Sequence, residues 1–195
     1  KPKPLVEVGG KPILWHIMKI YAHHGYNDFV LALGYKSNMI KDYFLNWRAF
    51  VNDFSMETKT GDIKFHNNDC DDFKITFAET GANSLTGERV KRLRKYIGDD
   101  ENFMVTYGDG VTDLNIAELV KYHKKQKTIG TITGVHPKSK FGLITCKDNF
   151  VESILEKPNL SDWVNGGFMI FDKRFFNFIK LNEMEHPALN RLAKI

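Results

Sequence analysis

The apolar residues of this 195-residue chain recur at two spacings, which predict helices and strands in alternation. Between Pro12 and His24, isoleucines and a tyrosine three and four residues apart form the apolar stripe of a helix, which Gly25 ends. Phe29–Leu33 is a continuous apolar run, typical of a parallel strand covered on both faces. The same two patterns predict further strands over 73–79, 103–107, 128–135, 143–145, 151–155 and 168–171, and further helices over 40–47, 90–97, 116–123, 173–181 and 186–194.

Residues 50–72 break this alternation, because their apolar residues are interleaved with polar ones around Thr60-Gly61-Asp62. That pattern predicts a β-hairpin inserted into the fold. The rest of the chain indicates an α/β protein with a mixed, mainly parallel sheet flanked by helices. We find no repeat, low-complexity segment or flexible linker, so we expect a single domain over residues 1–195.

Composition narrows the range of partners. Apolar residues make up 42% of the chain and charged residues 27%, which is typical of a globular domain. The net charge is +4, with the basic residues scattered among 24 acidic ones, which suits a phosphorylated small molecule as well as nucleic acid. Nucleic acid is the weakest hypothesis, because the basic residues lack the clustering and aromatic interleaving of a nucleic-acid binder. Cys70 and Cys146 fit no metal-ligand spacing and suggest a reducing cytoplasm. No apolar run approaches the roughly 20 residues that cross a bilayer, so we expect no membrane partner.

Asp109 is the first candidate functional residue. It follows the predicted strand 103–107 and lies between two glycines, in Gly108-Asp109-Gly110. A carboxylate at the carboxyl end of a strand in an α/β sheet is a common ligand for a divalent cation that accompanies a nucleotide. An aspartate that satisfies its own turn is the commoner use of this tripeptide, so the motif alone leaves both interpretations open.

The loop 80–87 joins a predicted strand to a helix whose first turns carry Arg89, Lys91 and Arg92. Amides at a helix start, together with cations, can bind an anion. The loop matches neither a P-loop nor a dinucleotide fingerprint, and a solvated basic helix face explains the same residues.

Two short motifs end or open strands further along the chain, Glu156-Lys157-Pro158 and Asn165-Gly166-Gly167. A carboxylate can accept hydrogen bonds from sugar hydroxyls, a lysine can bind a phosphate, and glycines allow a ring to lie against the backbone. Each motif alone is more often a surface turn. Both together predict a polyol pocket.

Four motifs occur along the chain in the order seen in sugar-1-phosphate nucleotidylyltransferases, and through them the sequence resembles that family. They are Lys3-Pro4-Leu5, Gly108-Asp109, Glu156-Lys157-Pro158 and Asn165-Gly166-Gly167. The stretches 12–18, 106–111, 140–142 and 80–92 are most similar to the cytidylyltransferase branch of that family. The resemblance implies a Rossmann-like nucleotidyltransferase fold. It also implies a reaction in which glucose 1-phosphate attacks the α-phosphorus of CTP, giving CDP-glucose and pyrophosphate with Mg²⁺ as the required cation.

The resemblance further implies a role for individual residues. Lys3 would contact substrate phosphate and stabilise the charge that develops on pyrophosphate, and Asp109 would bind Mg²⁺. The nucleotide would be bound by Thr80, Gly81, Ser84, Arg89 and Gly108. The glucose phosphate would be bound by Gly142, Glu156, Lys157, Asn165 and Gly167.

Two features of the family are not in this sequence. Its glycine-rich loop would precede Lys1, and its second metal-binding aspartate would follow Ile195. The chain begins without methionine and ends inside a helical pattern, so we expect it to lack the N-terminal glycine-rich loop and the C-terminal end of the domain.

Three hypotheses follow from the sequence. The first is a cytoplasmic enzyme that makes CDP-glucose for bacterial surface polysaccharide such as the O-antigen of lipopolysaccharide. The second is a related enzyme that uses another nucleoside triphosphate or another sugar. The third is a non-catalytic sensor of sugar nucleotides on the same fold. The family resemblance and the exposed apolar residues of the inserted hairpin also predict a homo-oligomer.

Overall fold

A computed structural model describes residues 1–194, in which helices and strands alternate as the apolar pattern predicts. The α-helices are α1 Ile13–Ala22, α2 Ser37–Leu45, α3 Trp47–Val51, α4 Thr86–Arg92, α5 Ile116–Gln126 and α6 Glu185–Leu192. The strands are β1 Glu7–Val8, β2 Lys11–Pro12, β3 Asp28–Leu33, β4 Phe54–Met56, β5 Ile63–Phe65, β6 Lys74–Glu79, β7 Asn102–Thr106, β8 Gly130–Val135, β9 Leu143–Lys147, β10 Phe150–Leu155 and β11 Val164–Asp172. Short 3-10 turns cover Lys3–Leu5, Leu93–Tyr96 and Lys173–Asn177.

The helix boundaries follow from local chemistry. Pro12 has extended dihedral angles and immediately precedes α1, where its missing N–H costs nothing. Gly25, with a φ of +85°, reverses the chain beyond the end of that helix. Asn115 caps α5, because its side-chain oxygen accepts a hydrogen bond from the backbone N–H of Glu118 at 3.0 Å. The predicted helix 173–181 is instead a 3-10 turn of five residues.

Apart from three two-stranded hairpins, β1 with β2, β4 with β5 and β9 with β10, the strands form two small sheets rather than one mainly parallel sheet. β3 and β6 pair in parallel over six residues, from Asp28 with Lys74 to Leu33 with Glu79. β11 lies between β7 and β8 and is antiparallel to both. Within residues 1–194, β3 with β6 is therefore the one parallel pair, which corrects the expected pairing while the α/β class is confirmed.

A crevice of about 900 Å³ separates the two sheets. Residues of both β3 and β7 line it, and the buried side chains Leu14, Ile17 and Met18 of α1 contribute part of its wall. Across the described part of the chain, no strand pairs with its neighbour on the other side of this crevice. The carboxyl end of β7 lies at the crevice with Tyr107 and Gly108, and Arg89 of α4 lines it as well, so two of the predicted site residues, Arg89 and Gly108, face the crevice.

The core on the three-stranded side consists mainly of phenylalanines. Phe171 stacks on Phe175 with ring centroids 3.9 Å apart, and Phe103 stacks on Phe176 at 4.8 Å. All four rings are buried, and offset stacking adds to the free energy gained by removing them from water. This core fixes β7, which ends just before Tyr107, and β11, which begins just before Asn165.

The predicted inserted hairpin is present, with β4 antiparallel to β5 from Phe54 and Phe65 to Met56 and Ile63. A second hairpin, β9 with β10, projects from the structure, and every residue of both strands is exposed. None of the helices within residues 1–194 has the length and apolar character that a bilayer crossing requires.

Candidate active site

Lys3 and Asp109 lie together, although 105 residues separate them in the sequence. The 3-10 turn that begins at Lys3 packs against the turn after β7, where a Cβ on Gly108 would lie 3.1 Å from the Pro4 side chain. The Lys3 ammonium is consequently 3.7 Å from the Asp109 carboxylate. Both side chains are well exposed, so either charge can contact a substrate.

The predicted nucleotide loop is organised around the buried side chain of Thr80. Its hydroxyl donates to the backbone carbonyl of Leu33 at 2.7 Å, and Arg89 donates to the same hydroxyl at 2.7 Å. Ser84 donates to the backbone carbonyl of Thr80, which closes the loop, and Gly81 provides its φ of +98°. The structure therefore brings Thr80, Gly81, Ser84 and Arg89 together, as predicted.

Arg89 is held in place by neutral oxygens. It donates to the carbonyls of Leu33 and Ala82 in addition to Thr80, and among residues 1–194 it forms no ion pair. Arg92 on the same helix is instead paired with Glu88, at 2.6 Å. The guanidinium charge of Arg89 is thus available to an anion, whereas that of Arg92 is used within the protein.

Gly34 is a residue of this loop that the sequence motifs do not reveal. A Cβ at position 34 would lie 2.4 Å from Nη1 of Arg89 and 2.7 Å from the carbonyl oxygen of Gly81. Only glycine leaves room for the guanidinium against the end of β3. The one signal in the sequence is a glycine immediately after the apolar strand Phe29–Leu33.

The predicted sugar-phosphate residues form two groups. Gly142 and Glu156 lie at the base of the β9–β10 hairpin, where a Cβ on Gly142 would be 3.2 Å from the Glu156 carboxylate. Lys157 follows with a φ of +43°, and its ammonium is 3.6 Å from the same carboxylate. All three residues are exposed, and they line neither the crevice nor the pocket at Asp109.

Asn165 and Gly167 form the second group, next to Tyr107. The side-chain oxygen of Asn165 accepts from the backbone N–H of Gly167 at 2.9 Å, and its amide donates to the Tyr107 hydroxyl at 3.2 Å. Gly167 has a φ of +83°, and a Cβ there would lie 2.7 Å from the Tyr107 ring. The tight packing of Tyr107 on this glycine fixes the amide of Asn165 at the margin of the crevice.

Glu185, in the first turn of α6, is also missing from the sequence motifs. Its carboxylate accepts hydrogen bonds from the Tyr107 hydroxyl at 2.7 Å and from the Thr86 hydroxyl. Burial, and secondarily the bond to Glu185, raise the pKa of Tyr107 to about 12. Burial alone would raise the pKa of Glu185, but the bonds from Thr86 and Tyr107 outweigh it and lower that pKa, so the carboxylate is charged at neutral pH.

The described residues include one carboxylate of a possible metal site. Within residues 1–194 no group of three or more histidine, cysteine, aspartate or glutamate residues could hold a metal ion. Mg²⁺, however, is usually bound by one or two carboxylates together with substrate phosphates. The half-exposed carboxylate of Asp109, with Lys3 beside it, fits that kind of site. Asp109 lines a pocket of about 580 Å³ next to α1, and Asp113 and His16 also line this pocket.

Comparison with known proteins identifies the family. A family model described as nucleotidyl transferase matches residues 1–193. The chain is 41% identical to the probable glucose-1-phosphate cytidylyltransferase of Bacillus subtilis (strain 168), over 99% of this chain and 76% of that protein. It is 40% identical to the glucose-1-phosphate cytidylyltransferase of Salmonella typhimurium, over 92% of this chain and 70% of that protein.

Solved structures support the same fold. HddC from Yersinia pseudotuberculosis superimposes with a TM-score of 0.67 at 23% identity, covering 100% of this chain and 77% of that one. A UDP-glucose pyrophosphorylase complexed with UDP-glucose gives a TM-score of 0.64 at 17% identity, covering 100% of this chain and 80% of that one. At these identities the likeness concerns the fold alone. The family match over 193 residues and the identities of 40–41% lead to one conclusion: this chain belongs to the nucleotidyl transferase family.

Proposed function

We propose that this chain transfers a cytidylyl group from CTP to glucose 1-phosphate, forming CDP-glucose and pyrophosphate. The observation that carries the proposal is the identity of 40–41% to glucose-1-phosphate cytidylyltransferases over 92–99% of the chain. More distant relatives include a mannose-1-phosphate guanyltransferase of Aspergillus oryzae, at 29% identity. The higher identity favours the cytidine base and glucose.

In this reaction one phosphorus–oxygen bond forms and another breaks. A phosphate oxygen of glucose 1-phosphate bonds to the α-phosphorus of CTP, and the bond from that phosphorus to the oxygen bridging to the β-phosphate breaks. Pyrophosphate leaves with the electron pair. No protein nucleophile is required, so catalysis depends on positioning two phosphates and neutralising their charge.

The charged side chains suit this task. The guanidinium of Arg89 is fixed by Thr80 and two backbone carbonyls, and forms no ion pair in the described part of the chain, so it can bind a phosphate of CTP. The Lys3 ammonium is exposed beside the turn after β7, and can stabilise the charge that develops on pyrophosphate.

On the sugar side, the Glu156 carboxylate accepts hydrogen bonds from glucose hydroxyls, and Lys157 binds the phosphate of glucose 1-phosphate. Asn165 donates its amide from the margin of the crevice, where Tyr107 and Gly167 hold it. Gly142 and Gly167 let the sugar approach the backbone closely.

Asp109 is the residue that would hold Mg²⁺, which when bound neutralises phosphate charge and orients the triphosphate. The exposed carboxylate at the carboxyl end of β7 supports this role. We place the reaction in the cytoplasm, as a source of CDP-glucose for surface polysaccharide such as the O-antigen, and propose that the enzyme is a homo-oligomer.

The test is product formation by the full-length protein with CTP, glucose 1-phosphate and Mg²⁺, with wild type and Asp109→Ala compared. We expect CDP-glucose from the wild type and a rate at least about 100-fold lower from the variant, because it loses the carboxylate that would hold the cation. Binding of CTP without turnover by the wild type would instead support a sensor. No binding of CTP would reject the proposal.

A further inference from the structure

Glu185 lies between the two halves of the site, and no motif or predicted site residue includes it. It is in the first turn of α6, while Thr86 begins α4 and Tyr107 follows β7, so its carboxylate joins three separate segments of the chain. All three side chains line the crevice.

One branch of hydrogen bonds leads from Glu185 to the sugar side. Glu185 accepts from the Tyr107 hydroxyl at 2.7 Å, and that hydroxyl accepts from the Asn165 amide at 3.2 Å. Because the single Tyr107 proton is donated to Glu185, the oxygen lone pairs are oriented toward Asn165. The carboxylate thereby fixes the direction in which the Asn165 amide points.

The other branch leads to the nucleotide side. Thr86 donates to the second oxygen of Glu185 and begins the helix that carries Arg89 three residues later. The start of α4 also packs tightly on the chain before α6, since a Cβ on Gly87 would lie 2.6 Å from the carbonyl oxygen of Met184. The position of Arg89 therefore depends on this contact between α4 and α6.

We infer that Glu185 is a positioning residue that fixes the position of the nucleotide-binding half of the site relative to the sugar-binding half. This inference rests on the proposed function. Glu185 acts through Thr86 and Tyr107 and contacts neither substrate itself. Its two branches are separate, so each can be cut without the other.

The experiment measures KM for CTP and for glucose 1-phosphate in three variants. Tyr107→Phe removes the sugar branch and should raise KM for glucose 1-phosphate about tenfold, with KM for CTP within about twofold. Thr86→Val removes the nucleotide branch and should show the opposite pattern. Glu185→Ala removes both and should raise both KM values about tenfold or more.

Glu183→Gln is the matched control. The Glu183 side chain also holds the α6 region, through Arg191 and the backbone N–H of Lys180, and within residues 1–194 it has no hydrogen bond to Thr86 or Tyr107. Its backbone carbonyl accepts from Glu88 of α4, a bond that the substitution leaves in place. The substitution should lower the unfolding temperature and leave both KM values unchanged. If Glu183→Gln raised both KM values as Glu185→Ala does, Glu185 would be merely structural and the inference would be wrong.

The outcomes separate the two proposals. CDP-glucose formation with no KM split among the variants overturns the role of Glu185 and leaves the proposed function in place. Turnover with another nucleoside triphosphate rejects the proposed function, and the same KM split measured with that nucleotide decides the role of Glu185. No turnover with any nucleotide rejects both.

Discussion

The two halves of the site differ in how firmly the protein holds them. On the nucleotide side, Arg89 has three hydrogen-bond partners, and Thr80 beneath it is 1% exposed. On the sugar side, Glu156 and Lys157 are exposed at the base of a hairpin whose strands have no buried residue. One half is built into the fold, and the other projects from it.

This difference has a physical consequence for each substrate. A pre-organised guanidinium loses little side-chain entropy when a phosphate binds, so its contribution to binding is nearly undiminished. Exposed side chains at the base of a two-stranded hairpin must be ordered when the sugar binds, and that ordering costs part of the interaction. We therefore expect substitutions on the nucleotide side to have larger effects than substitutions on the sugar side.

The largest effect is expected for Arg89→Ala. It removes a fixed charge, and kcat/KM for CTP should fall about 100-fold or more, while the loss of its three hydrogen bonds should also lower the unfolding temperature. Steady-state kinetics with varied CTP measures the loss.

Arg92→Ala is the comparison on the same helix. It leaves Glu88, 4% exposed, as a buried charge without its partner, and should lower the unfolding temperature while kcat/KM for CTP changes little. If the two arginine variants lost CTP turnover equally, the distinction between a free and a paired cation would be wrong.

A smaller effect is expected for Glu156→Gln and Lys157→Ala. Each should raise KM for glucose 1-phosphate about five- to tenfold and leave the unfolding temperature unchanged, because both side chains are exposed. Varied glucose 1-phosphate at saturating CTP provides the measurement. A loss as large as that of Arg89→Ala would show that the hairpin base is as well ordered as the nucleotide loop.

The smallest effect is expected on stability, from His123, which lies outside both halves of the site. His123 on α5 is buried and joins β7 to β8, since Thr131 donates to its Nδ1 at 2.8 Å and its Nε2–H donates to Asn102 at 3.0 Å. Burial lowers the pKa of His123, although Asp172 opposes the shift. The unfolded chain therefore takes up a proton at higher pH than the folded one.

The stabilising contribution of neutral His123 is complete above its unfolded pKa of about 6.5, and is lost as pH falls through the lower folded pKa. The unfolding temperature should fall by a few degrees as pH is lowered from the unfolded pKa through the folded pKa of His123. The variant His123→Gln should lose this part of the pH dependence. His23→Gln, at an exposed position, should leave it intact. An unchanged pH profile in His123→Gln would contradict the assignment.

The local elements could be predicted from the sequence, whereas strand pairing could not. The apolar stripe of α1 and the alternation in 50–72 identify a helix and a hairpin that the structure confirms. The apolar run 168–171 belongs to β11, which is antiparallel to both neighbours. A central strand that is buried on both faces has the same apolar pattern whether its neighbours are parallel or antiparallel, so the expected mainly parallel pairing was wrong.

The site residues show the same limit. Lys3, Arg89, Asp109 and Asn165 lie in motifs that resemble a known family, but their roles stay predictions until the variants are measured. Glu185 follows Tyr107 by 78 residues and belongs to no motif, and Gly34 matters only through the space that Arg89 needs. Tertiary contacts between distant segments decide both cases. The expected single domain over 1–195 likewise stays a prediction.

Competition between nucleotides is the most direct test of cytidylyl transfer by this protein. The wild-type protein is given glucose 1-phosphate, Mg²⁺ and equal concentrations of CTP, UTP, dTTP and GTP, and the nucleotide sugars are separated and quantified. We predict that CDP-glucose is the main product. A main product carrying another base, or no nucleotide sugar at all, would show that the protein is not a glucose-1-phosphate cytidylyltransferase.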